Sequence, residues 1–218
     1  MKYFVFSIDD GTVFDEKVVE VFNRNNIRAC FNLNSGLQDF VWYKDDKPVN
    51  RLNLWEKREI YANHEVCSHS LTHPHLTMCD DWYIEKEVKE DFENLANIFG
   101  RKIEVFAFPF HDWDERCVEA VKRAGNPKVI RLSLFDNSFR MPKDRYHIPI
   151  TTANIREALE LFDKFVKDPN AELFVFVSHG YDFEFNNTYD ELDKLCKKVL
   201  SNKEVKIVTT SQLAEIIK

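Results

Sequence analysis

The stretch Lys2-Tyr3-Phe4-Val5-Phe6-Ser7-Ile8-Asp9-Asp10-Gly11 decides the fold. Residues 2–8 are a nearly unbroken run of aromatic and β-branched side chains. A strand with one wet face would alternate apolar with polar residues. An unbroken run predicts a strand buried on both faces, as in a parallel sheet covered by helices. Asp9-Asp10-Gly11 then ends it as a turn.

The chain outward from that strand follows the same logic. Residues 15–26 predict a helix, with Val18, Val19, Val21 and Phe22 on its apolar face and Asn25-Asn26 as its stop. Residues 28–33 read as a second buried strand. Residues 34–54 form a long polar connection carrying Phe40-Val41-Trp42-Tyr43 and Asp45-Asp46. Long connections in compact domains are often functional, and this one reads as a hairpin or lid near the site. A short helix over 54–63 leads to a third strand over 64–67. The clearest helix is 80–99: Ile84, Val88, Phe92, Leu95 and Phe99 recur at helical spacing, Asp80 or Asp81 caps it, and Gly100 follows its end.

Further strands are predicted over 103–108, 128–135, 173–177 and 205–209, and helices over 114–124, 155–166, 189–200 and 211–217. A loop runs through 140–149. About seven strands therefore alternate with helices. Such repeats make a parallel sheet with right-handed crossovers, either open and doubly wound or closed into an incomplete barrel. The whole of 1–218 is expected to be a single domain.

Composition narrows the function. Hydrophobic residues are 44% and charged residues 31%, an ordinary globular balance. The net charge of -7, without a basic block, excludes nucleic acid as the expected partner. No apolar run is long enough to span a membrane. The 5 Cys are odd in number and form no CxxC pair, so they read as reduced, buried thiols. With no signal peptide visible before the first strand, the expected location is cytoplasmic.

Polar candidates gather at strand ends. His69-Ser70-Leu71-Thr72-His73-Pro74 follows the third strand and sets two imidazoles four residues apart, on one turn of helix or in a tight loop. Two neutral imidazoles on one side are the usual start of a site for Zn or non-haem Fe. Asp9 and Asp10 follow the first strand, Pro109 and Phe110 the fourth, and His179 the sixth. In (β/α) barrels the chemistry lies at the C-terminal ends of strands, so these residues are expected to share one site. Neighbours in an extended segment point to opposite sides, which lets Asp9 and Asp10 take different roles. Asp10 with His69 and His73 would make a two-His, one-carboxylate face with open positions, the mark of a catalytic metal.

Ser7-Ile8-Asp9-Asp10-Gly11, His69-Ser70-Leu71-Thr72-His73-Pro74, Phe106-Ala107-Phe108-Pro109-Phe110 and Val177-Ser178-His179 occur in that order. Together they resemble the successive motifs of the polysaccharide deacetylases, the NodB-homology enzymes of carbohydrate esterase family 4. The resemblance runs from about residue 3 to about residue 180. It implies a distorted, incomplete (β/α)7 barrel and metal-dependent removal of N- or O-linked acetyl groups from a sugar or polysaccharide. That is a hydrolase acting on C–N bonds other than peptide bonds, or a carboxylic ester hydrolase. It implies Asp9 as base, Asp10, His69 and His73 as ligands of one divalent ion, His179 as acid, and the Phe110 backbone N–H as oxyanion donor. The expected ion is Zn2+, with Fe, Co or Ni as alternatives. A divalent ion polarises the acetyl carbonyl and lowers the pKa of a bound water, and a histidine suits the proton donation that follows.

The chain departs from the pattern in three places. Ala107 stands where the resemblance implies an arginine that orients the base, and Arg131, Arg140 and Arg145 are the candidates to replace it. His111 follows Phe110, so that His111 and Trp113 are candidate substrate contacts, as is Trp42 on the long connection. The tryptophan-bearing fourth motif is absent, and with it the carboxylate expected to orient His179. Two alternatives remain open: hydrolysis of another C–N bond, such as a cyclic imide or ureide, and a non-catalytic carbohydrate-binding protein on the same scaffold.

Overall fold

The structure is a computed structural model that describes residues 1–217. Strand β1 (Lys2–Asp9) is its axis, pairing with three others. It runs parallel to β9 (Leu173–His179) from Tyr3 to Asp9. Its other edge is divided: β10 (Val205–Ile207) takes Lys2–Phe4 and β2 (Cys30–Leu33) takes Ser7–Asp9. From β2 the parallel sheet continues through β5 (Glu65–Ser68), β6 (Val105–Ala107), β7 (Val129–Phe135) and β8 (Ile148–Ile150). A bridge from Thr152 to Phe176 then brings the end of β8 onto β9. The result is a mostly parallel sheet nearly closed into a barrel, with helices around it.

Two-sided burial explains the unbroken run in β1. Phe4, Phe6 and Ile8 face the helix layer and pack with Phe22, Phe31, Phe162 and Phe174. Val5 faces the barrel interior with Cys30, Cys67, Val105, Val129, Ile148 and Val175. Side chains alternate along a strand, so the inward register that begins with Val5 continues to Ser7 and Asp9. The same step carries Val129 to Arg131, and Val175 through Val177 to His179. Each inward row is thus apolar at the foot of the barrel and polar at its C-terminal rim.

The helices are α1 (Asp15–Arg24), α2 (Leu54–Lys57), α3 (Asp81–Phe99), α4 (Glu115–Gly125), α5 (Ile155–Lys167), α6 (Gly180–Asn186), α7 (Tyr189–Leu200) and α8 (Leu213–Ile216). Helix α3 buries Ile84, Val88, Phe92 and Leu95 at the predicted spacing, and Gly100 ends it at φ +61°. Among the described residues no helix is long and apolar enough to cross a membrane.

Three elements differ from the sequence reading. The seventh barrel strand is β8, inside the predicted loop; it has only 3 residues and Pro149 at its centre, too little for a periodic signal. The strand predicted last, β10, lies instead beside the foot of β1. Helix α6 follows β9 without a break, whereas residues 180–188 carried no helical expectation. The long connection does hold a hairpin, β3 (Val41–Lys44) with β4 (Lys47–Asn50), turning through Asp45 and Asp46 at φ +50° and +60°.

Candidate active site

The turn after β1 places Asp10 at φ +87°, which aims its carboxylate across the barrel mouth. Its Oδ1 lies 3.4 Å from His73 Nε2 and 3.9 Å from His69 Nε2. This oxygen is buried and accepts no hydrogen bond. One atom from each of the three residues falls within 4.8 Å of the others. A buried carboxylate oxygen that accepts no hydrogen bond and converges with two imidazole nitrogens fits a divalent ion. His69 Nδ1 meets the carbonyl of Ala107 at 2.8 Å, which assigns the proton to Nδ1 and leaves the Nε2 lone pair for the site. Burial lowers the pKa of both imidazoles, His73 to about 3, so both are neutral, as ligands must be.

The His69–Pro74 stretch is a tight loop, with Ser70 at φ +65° and His73 at φ +56°. Two buried carboxylates of α3 hold it. Glu87 accepts from the N–H and the hydroxyl of Thr72, both at 2.7 Å. One turn on, Asp91 accepts from the Ser68 hydroxyl at 2.6 Å, the His69 N–H at 3.3 Å, and the N–H and hydroxyl of Ser35. Both sit among the apolar positions of α3, so the helix packs on the sheet and fixes the histidine loop together.

Asp9 points into the same space but is held differently. Its Oδ1 accepts from Asn32 Nδ2 at 2.5 Å and its Oδ2 from Arg131 Nη2 at 2.8 Å. Burial by itself would raise the Asp9 pKa. The Arg131 guanidinium, with His69 and His179 beside it, instead holds the carboxyl below its ordinary range. Arg131 is 1% exposed and stands in register beside Ala107 on the neighbouring strand. The small side chain of Ala107 sits beside the guanidinium's strand position, and Asp9 is held from β7 rather than β6.

His179, the last residue of β9, finds its carboxylate three residues on. Its Nδ1 lies 2.8 Å from Asp182 Oδ2 in the first turn of α6. Burial disfavours the imidazolium, but Asp182, Asp10 and Asp9 outweigh it and raise the pKa above the usual value. Tyr181 stacks on the His179 ring at 4.8 Å, and its hydroxyl donates to Asp10 Oδ2 at 3.2 Å. Arg51 comes in from the end of the hairpin segment. Its Nη1 lies 3.1 Å from Asp10 Oδ1, bonds the Asp10 backbone carbonyl, and donates to Asn34 Oδ1 at 2.9 Å. Burial would raise the Asp10 pKa, but Arg51 and the three histidines depress it well below the carboxylate range.

These groups line a cavity of about 490 Å3. Asp9, Asp10, His69, His73 and His179 share it with Phe110, His111 and Trp42. Phe110, at φ +55°, stands at the mouth, its ring stacked on His75 at 3.8 Å. Trp113 does not reach the cavity. It precedes α4, which lies outside the barrel, and packs half-buried against the core with its edge toward His147. Arg140 and Arg145 also lie elsewhere, bonded to Asn170 and Tyr146. Sequence reasoning missed Asp182, Arg51, Tyr181, Asn32, Glu87 and Asp91. Of these only Asp182 had a local signal, its three-residue offset from His179 at a strand-to-helix junction.

Comparison with known proteins follows the same line. A family model described as "Polysaccharide deacetylase" matches residues 1–129. No curated protein sequence matches. A family 4 acetyl xylan esterase from Clostridium thermocellum, solved with a cobalt ion, superposes with a TM-score of 0.67 at 16% identity, over 99% of this chain and 91% of that one. A family 4 carbohydrate esterase from Streptomyces lividans, solved with acetate, gives 0.62 at 14% identity over 94% and 90%. A family 4 pseudoenzyme from Bacillus anthracis gives 0.66 at 17% identity over 98% and 65%. At these identities the structures establish the shared barrel, and the family model reaches past β1, the histidine loop and β6. The chain belongs to the polysaccharide deacetylase family, the NodB-homology enzymes of carbohydrate esterase family 4.

Proposed function

We propose that this chain is a metal-dependent hydrolase that removes acetyl groups, N- or O-linked, from a sugar or polysaccharide. The observation that carries the proposal is the meeting of Asp10 Oδ1, buried and free of any hydrogen bond, with His69 and His73 Nε2 on a cavity that also holds Asp9 and His179. Asp10, His69 and His73 would hold one divalent ion, Zn2+ by the chemistry of the donor set, which supplies Lewis-acid polarisation and water activation when bound.

The chain's own residues do the rest. Asp9, kept ionised by Arg131, takes the proton of the attacking water. The Phe110 backbone N–H, at the cavity mouth, is assigned to the developing oxyanion. His179 keeps its Nδ1–H on Asp182 and gives the proton on Nε2 to the departing nitrogen or oxygen. Trp42 and His111 line the space left for the sugar.

One observation favours a second reading. Arg51 already places a fixed positive charge 3.1 Å from Asp10 Oδ1, so that carboxylate is balanced without a bound cation, as a non-catalytic scaffold requires. A single experiment separates the two: elemental analysis and acetate release on one reconstituted sample, for wild type and His73→Ala. About one equivalent of metal, lost with His73 together with acetate release, establishes site and reaction. Absence of metal after reconstitution puts the binding scaffold first.

A further inference from the structure

Asp182 holds His179, and Asp182 is itself held from outside the barrel. Its Oδ2 meets His179 Nδ1 at 2.8 Å, and its Oδ1 meets Lys44 Nζ, on strand β3, at 2.7 Å. The Lys44 ammonium also sits 4.5 Å above the ring of Tyr181, the ring that stacks on His179. Trp42 precedes Lys44 by two residues and so shares its face of β3. It meets Tyr181 edge-on at 5.3 Å and lines the cavity. The foot of the hairpin is anchored separately, by Val13 N–H to the Asn50 carbonyl and Leu52 N–H to the Gly11 carbonyl, on the turn that carries Asp10.

We propose that Lys44 is a positioning residue for the general acid His179, acting through Asp182, so that the hairpin presenting Trp42 to the substrate also sets the acid. This rests on the hydrolase reading above. The two Asp182 oxygens are divided between one partner each. Without Lys44, Oδ1 loses its partner and the carboxylate is free to rotate away from the imidazole. The Lys44 and Asp182 side chains are 38% and 27% exposed. Pairs so placed add little to folding stability, so the contact should read out in catalysis rather than in Tm.

The chemistry makes this separable. Water's oxygen bonds to the acyl carbon and Asp9 takes one of its protons. The acyl C–N or C–O bond then breaks with its electron pair on the departing atom, which receives the proton from His179. Acetate and the free amine or alcohol result. From an aryl acetate the departing group is instead a phenolate, which carries the electron pair of the broken C–O bond with no need of that proton.

The test uses the metal-loaded full chain on two substrates: the N- or O-acetylated sugar it turns over fastest, and 4-nitrophenyl acetate. Lys44→Met should lower kcat on the sugar by about 10- to 100-fold with KM within about twofold, and leave 4-nitrophenyl acetate within about threefold. Lys44→Arg should restore the sugar rate, and His179→Ala should show the same substrate dependence more strongly. A second readout needs no turnover. In metal-free protein the His179 Nδ1–H resonance should be protected from exchange in wild type and Lys44→Arg, and lose that protection in Lys44→Met. Equal loss on both substrates, or no loss on either, overturns the proposal. So does an unchanged Nδ1–H resonance. No turnover of either substrate by metal-loaded wild type overturns the hydrolase reading, and the role of Lys44 with it.

Discussion

At the rim of the barrel, on the ends of β1, β5 and β7, charged groups are buried against a partner. Asp9 faces Arg131 and Asn32, and the histidine loop is tied to Glu87 and Asp91. On the hairpin β3–β4 the charges are half exposed or exposed: Lys44 rests on the Tyr181 ring and on Asp182, and Lys47 on the Phe185 ring. The difference is one of solvent. A charge removed from water must be paired, so at the rim each partner is obligatory. A charge left partly in water gains little from pairing, so the hairpin can adjust the site without holding the fold.

The sharpest way to break the rim is at the candidate ligand set Asp10, His69 and His73. Asp10→Ala should abolish binding of the single equivalent of metal, measured by elemental analysis, and cut acetate release on the order of a thousandfold. Next comes Arg131→Ala, which strands the Asp9 charge in the barrel. It should cost about 3–5 kcal/mol in chemical denaturation, with turnover lost as well. The double variant Ala107→Arg with Arg131→Ala tests the neighbouring-strand geometry. It should recover part of both losses, because the two positions stand in register.

A third prediction carries the comparison below the rim. His64, just before β5, is fully buried, with Nδ1 accepting the Ala29 N–H at 3.2 Å. Burial lowers its pKa to about 4. The folded value lies below the unfolded one, so its contribution is complete above about pH 6.5 and is lost as the pH falls toward 4. Between pH 7 and pH 5 this residue should cost about 2 kcal/mol of stability. His64→Gln, which keeps an acceptor but cannot charge, should remove that part of the slope in denaturation curves at the two pH values. The smallest effect belongs to the hairpin. Trp42→Ala should change stability by less than about 1.5 kcal/mol and raise KM several-fold, seen by comparing denaturation midpoints with steady-state kinetics. A stability loss as large as that of Arg131→Ala would erase the distinction between the two regions.

The candidate catalytic set was legible because each member is a local signal. Asp9 and Asp10 end an unmistakable buried strand, the histidine pair follows another, and His179 ends a third. What the sequence obscured were the residues that hold them. Arg131 was one of three arginines that reading could not separate, since only the β6–β7 register puts it beside Ala107. Asp182 lay within reach of His179 but in a stretch without helical period. Trp113 stands close to Phe110 in the chain, yet the start of α4 carries it away from the cavity. Strand β8 was too short, with Pro149 inside it, to register at all.

From the sequence alone came the alternation of strand and helix, the rim position of the chemistry and the family. The first two rest on periodicity and spacing along a few residues, which the backbone converts directly into face and direction, and the family rests on the resemblance of four ordered motifs. The tertiary structure alone decided which charge meets which. Asp9 and Arg131 are 122 residues apart, and Lys44 and Asp182 are 138. Such pairs are selected by burial and by the register of strands that meet only when the barrel forms. The cost of leaving a buried charge unpaired is set in space, not along the chain.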